Sequence, residues 1–200
     1  LLLETTARLL AAGRAPTVTE VADAAGVSRR TAYRYFGSSK RLHADAALET
    51  LRPAMQSAID ASTSGTSNGG LDARVDALVE SMQRLALENE SLLRTMIHET
   101  VLTPAQGNAP RRGSRRLEWI ESAIEPLRQR LAPADYKRVV SALALCTGIE
   151  ALLVLRDICG LAPAEATRVS QWMSRALVRQ SLNERAAGLA RHRARSRKSS

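Results

Sequence analysis

From Leu3 to Leu177 the apolar residues of this chain recur at steps of three and four, the spacing that puts them on one face of a helix. No segment reads convincingly as a strand. The composition agrees. Ala and Leu supply 60 of the 200 residues, Val and Ile only 17, and aromatics are 3%. That balance favours helix and disfavours a sandwich or barrel, which needs β-branched and aromatic residues. The expected fold is all-α, with about nine helices. An apolar share of 44% excludes wholesale disorder.

Local signals place the helix ends. Gly13 and Pro16 stop the first helix, and Thr17 with Glu20 forms a capping box for the second. Gly26 ends that helix, Ser28 caps a third running through Phe36, and Ser38 caps a fourth that heads toward Ile59 with a kink at Pro53. Residues 62–70 and 103–114 read as loops. Between and after them come a helix marked by Val75 to Ala86, one marked by Leu92 to Ile97, and one from Leu117 to Leu131. A long helix, Ala134–Cys159, is apolar nearly all round, and a last helix follows Gly160 and Pro163. Glu150, Arg156 and Asp157 argue against a membrane span in the long helix. Cys146 and Cys159, about 20 Å apart along one helix, cannot pair and are expected as reduced, packed thiols.

Val18 to Gly37 is the most informative stretch. Ala22 is small where two helices cross, Gly26 suits a left-handed turn four positions later, and Val21, Ala25, Val27, Ala32 and Tyr35 form an inward set. This is the helix-turn-helix pattern. With Ala32 turned inward, Arg30 and Arg34 point directly away, and Arg29, Thr31 and Tyr33 flank them. The outer face carries no acid. Guanidinium, phenol and hydroxyl groups of this kind suit guanine edges, phosphate oxygens and thymine methyls. The net charge of +9 agrees with a polyanionic partner.

The segment from Leu9-Leu10 to Leu48, with Gly-Val-Ser-Arg-Arg-Thr-Ala-Tyr-Arg-Tyr-Phe-Gly-Ser at its centre, resembles the DNA-binding module of the TetR (tetracycline-repressor) family of transcriptional regulators. The resemblance is specific over roughly residues 3–50 and only architectural beyond. It implies a homodimer that binds a palindromic double-stranded operator and is released by a small effector held in the C-terminal domain. By motif position Thr31, Tyr33 and Tyr35 match groups that touch phosphate or base, and Arg29, Arg30 and Arg34 match variable recognition positions. Thr17 and Ser28, at the two helix starts, complete the candidate DNA contacts on the motif. The family usually places Lys three residues after the Phe. Here Ser39 stands there and Lys40 follows, so either could hold the phosphate. The family's basic arm before the first helix and an initiator Met are absent, as expected of a trimmed chain. The expected division is a helix-turn-helix domain over residues 1–45, an effector-binding and dimerisation domain over 46–186, and a basic, disordered tail over 187–200.

Other sites are expectations of the same reading. Met82, Met96 and Trp119 are candidates to line an apolar effector pocket, with His98 and Glu150 as polar groups of it. Leu152 and Leu155, with Val169, Trp172, Met173 and Leu177 of the last helix, are candidates for the dimer interface. His98-Glu99 begins a zinc-protease pattern, but position 102 is Leu, so no metal site is expected. No catalytic set and no cofactor motif is found, so no enzyme is expected. The start of the chain is not that of a signal peptide, and the expected location is the bacterial cytoplasm. The alternative is a largely non-specific, nucleoid-type DNA binder using the five cations of residues 191–198.

Overall fold

The structure is a computed structural model. It describes residues 1–53, 56–57, 60–61, 70–102 and 115–196. The two expected loops lie almost wholly outside these, at 62–69 and 103–114. The described residues are helical with no strand, as the spacing predicts. Contacts divide the chain into two units. One joins Leu1–Ser57 to Glu88–Gly113, and the other joins Ala58–Leu87 to Ser114–Ser200.

The first unit is built on α1 (Leu2–Ala11), α2 (Val18–Ala24), α3 (Arg29–Tyr35) and α4 (Ser39–Thr50). Val18, Val21, Ala22, Ala32, Phe36 and Leu42 form its core, and Leu2, Leu3 and Leu9 of α1 close over it. α4 ends at Thr50 with a turn at Leu51, and the described residues 52–53, 56–57 and 60–61 are helical again, so the expected run toward Ile59 is interrupted two residues before Pro53. A later helix packs on α4. It spans Glu90–Leu102 and is α6 here, following α5 (Gly70–Glu88) after Asn89.

The second unit holds most of α5 with α7 (Arg115–Ala123), a 3-10 turn at Glu125–Leu127, α8 (Pro133–Cys146), α9 (Ile149–Leu153) and α10 (Pro163–Ser196). Two expected helices are broken. The helix from Leu117 to Leu131 ends at Ala123, because Pro126 lacks the N–H a helix needs and opens the 3-10 turn instead. The long helix from Ala134 breaks after Cys146, where Gly148 takes φ +79° and ψ −162°. After α9 the backbone widens into a π-helical turn at Val154–Ile158. The two cysteines therefore do not share a helix. Cys146 is buried, while Cys159 is exposed rather than packed. Residues 187–196, expected as a disordered tail, continue α10, as their Ala and Arg content allows. No single described helix is long and apolar enough to cross a membrane.

Candidate nucleic-acid interface

Each part of the helix-turn-helix is set by a local bond. The Thr17 hydroxyl accepts from Glu20 N at 3.2 Å, and Thr17 N donates to the Glu20 carboxylate at 2.7 Å, closing the capping box. The Thr17 amide and the Thr17 hydroxyl, which donates to the same carboxylate at 2.9 Å, hold the Glu20 carboxyl below its ordinary value, with Arg14 nearby. Gly26 turns at φ +65°, a conformation that costs other residues, and Val27 N then donates to Ala22 O at 2.9 Å. Ser28 caps α3 by accepting from Thr31 N at 3.1 Å, and the Ser28 and Thr31 hydroxyls lie 2.8 Å apart. Ala32 is 1% exposed, which aims the opposite side of α3 outward.

That outward side is the candidate recognition face. Arg29, Arg30, Tyr33, Arg34 and Tyr35 are exposed, and Thr31 is half-buried. The Arg34 guanidinium lies 5.0 Å over the Tyr35 ring, and its Nη2 donates to the Tyr35 hydroxyl at 3.2 Å. Tyr35 is thus not part of the inward set. It is 56% exposed, because it ends α3 and only Phe36, buried one residue later, closes that side of the core.

The face also holds an acid that the helical wheel of α3 alone does not show. Asp23, from the end of α2, takes Arg29 Nε at 3.2 Å and Nη2 at 2.9 Å. The bond to Arg29 pulls the Asp23 carboxyl down and pushes the guanidinium up. Thr19 of α2 meets the Tyr33 hydroxyl at 3.3 Å in the same way. Neither Asp23 nor Thr19 was a sequence candidate. The available signal was an acid and a base six positions apart across a tight turn.

At the start of α4, Ser39 Oγ accepts from Val18 N at 3.3 Å and is half-buried, while Lys40 is exposed. Ser38 accepts from Arg41 N at 3.2 Å and also donates to Glu99 of α6. His43 Nε2 lies 2.6 Å from Pro16 O and ties α4 to the loop before α2.

The five effector candidates are divided between the two units. Met96 is buried in the first unit, where the His98 side chain is 68% exposed. Met82 and Trp119 are buried in the second unit. Glu150 pairs with Arg116 at 2.6 Å within its own chain. A hollow of about 440 Å³ in the second unit is lined instead by Asp72, Asp76, Trp172, Arg175, Ala176 and Arg179. Of the dimer candidates, Leu152 is 1% exposed and belongs to the core, because α9 turns it inward. Leu155, Val169, Met173 and Leu177 are half-buried and Trp172 is 65% exposed. The inner side of α10 carries Ala166, Ser170, Ser174 and Val178. Among the described residues no group of His, Cys, Asp and Glu could hold a metal ion.

Residues 2–42 match the family model for bacterial regulatory proteins of the tetR family. No curated protein and no solved structure matches the chain. The match covers α1 to the start of α4, the same segment whose caps, turn and exposed arginines are described above.

Proposed function

The chain carries the DNA-binding module of the tetR family of bacterial regulatory proteins and is a DNA-binding transcription regulator; from that premise we propose that it is a ligand-responsive repressor acting as a homodimer on a palindromic operator. The observation that carries the reading is α3 itself, which buries Ala32 and exposes Arg30, Tyr33 and Arg34. The DNA-binding role is assigned to residues 1–45, and effector binding and dimerisation to 46–186. Two copies of α3 would enter successive major grooves on one side of the duplex, about 34–36 Å apart. Arg30 and Arg34 would read base edges, while Thr17, Ser28, Thr31, Tyr33, Tyr35 and Lys40 would hold the module in register through phosphate.

The apolar outer side of α10 supports the homodimer, since Trp172 in water is the larger cost that a second copy would remove. Ligand response rests on the family alone. A ligand shifts DNA affinity only by preferring one arrangement of the two α3 helices over another. Such a regulator works where the chromosome is, in the bacterial cytoplasm.

Selection of bound fragments from a random DNA pool tests the reading. An enriched palindrome with half-sites one helical turn apart is expected. Arg34→Ala should cost about 1–3 kcal/mol on that sequence and relax one base position. An equal loss on operator and random DNA overturns the base-reading role. The five cations of residues 191–198 favour the second reading, a non-specific DNA binder. Under it, removing residues 187–200 abolishes most affinity and no palindrome is enriched.

A further inference from the structure

Arg29 is held in a way that the other arginines of α3 are not. Asp23 takes its Nε and Nη2 hydrogens through the two carboxylate oxygens, at 3.2 and 2.9 Å. These bonds use the side edge of the guanidinium. A second flat edge, formed by Nη1 and Nη2 at the tip, makes no bond to a described residue. Two parallel N–H groups on such an edge match O6 and N7 of guanine. The Arg29 side chain is 65% exposed, so the tip is open to a partner. An ion pair this exposed contributes little to stability, which leaves its geometry to be explained by something else.

We propose that Asp23 is a positioning residue for base reading, fixing the plane of the Arg29 guanidinium so that its tip edge reads a guanine in each half-site. The inference rests on α3 being the helix that enters the major groove. Its physical basis is pre-organisation. A long arginine side chain loses rotamer freedom when it docks, and Asp23 imposes that loss before DNA arrives. The same carboxylate faces the phosphates and repels them, so it weakens binding to every sequence. Asp23 therefore acts with opposite sign on the two quantities. It lowers general affinity and raises discrimination, a combination that a merely structural acid would not give.

The test uses the full chain and two kinds of duplex, the palindrome selected by the wild type and an unrelated sequence. Affinities are measured for the wild type, D23A, D23N, R29A and D23A/R29A, with each base of the half-site varied. The wild type should prefer guanine at one position per half-site, and R29A should lose that preference. D23A should cut it at least about fivefold while binding the unrelated duplex as tightly as the wild type or tighter. D23N, which keeps an oxygen acceptor without the charge, should fall between. In the R29A background, D23A should change no base preference. Thermal melts check folding, and D23N carries the comparison if D23A melts early. A D23A variant that shifts every duplex by one common factor, with the guanine preference intact, overturns the proposal and leaves Asp23 a charge neutraliser. A wild-type chain with no guanine preference that R29A removes overturns it too, and a wild type that enriches no sequence overturns both this inference and the reading of α3.

Discussion

Glu20 works on both sides of the α2 start. Its carboxylate accepts from Thr17 N at 2.7 Å and from the Thr17 hydroxyl at 2.9 Å, while its own amide is capped by that hydroxyl. Because its folded carboxyl titrates below the ordinary 4.5, the charged form is the one the fold prefers. Its contribution is then complete above about pH 5 and is lost as the pH falls through the depressed folded value. Glu20→Gln keeps an acceptor at this position of the box but removes the charge. The variant should melt with less loss than the wild type between pH 5 and pH 3.5, followed by circular dichroism. Asp23 is also depressed, by Arg29, so part of the acid sensitivity should survive in the variant. Identical acid losses in the two proteins would mean that the box carries no pH dependence. These two acids also show where sequence reading reaches. The box was legible because Thr17 and Glu20 are one helical turn apart. The Asp23–Arg29 pair was not, because a wheel drawn for one helix omits what the neighbouring helix brings to its edge.

At the scale of the element, the α8–α9 joint is where the apolar pattern misleads. Hydrophobic periodicity continues through it, since both helices bury Leu143, Ile149 and Leu152, and nothing in that pattern marks a break. The break is a backbone fact. Gly148 lies at φ +79° and ψ −162°, a region open essentially to glycine alone. Arg116 of α7 fills the space beside it, donating to Ala144 O at 3.0 Å and to Glu150 at 2.6 Å. A Cβ at position 148 would meet the Arg116 guanidinium carbon at 3.1 Å. Gly148→Ala should therefore cost about 1–3 kcal/mol in chemical denaturation. Most of that cost should remain when Arg116 is also changed to Ala, since the backbone strain is independent of the neighbour. A variant within about 0.5 kcal/mol of the wild type would show that the joint can adopt another path. The helix-turn-helix was legible for the opposite reason. Thr17, Gly26, Ser28 and Ser38 are residues whose chemistry fixes a boundary within a few positions.

At the scale of the molecule, the proposed reading needs two copies of α3 held at a fixed spacing, because one helix of this size would read too few base pairs to find a site in a genome. The outer side of α10 is the surface best suited to hold them. Its inner side is lined by small residues that pack against the chain's own core, and the bulky residues are left outside, with Trp172 at 65% exposure. Tryptophan in such a setting is a strong anchor when a partner covers it. Trp172→Glu leaves the inner side untouched, so the protomer should keep its melting behaviour in the first unit and its helical content. Sedimentation should then change from a dimer to a monomer. Affinity for a full palindrome should fall by about 10²–10⁴-fold, because the second half-site loses its effective concentration, while affinity for an isolated half-site stays level. A Trp172→Glu chain that still sediments as a dimer places the interface elsewhere. A wild-type chain that is monomeric on its operator removes the need for one and, with it, the palindrome.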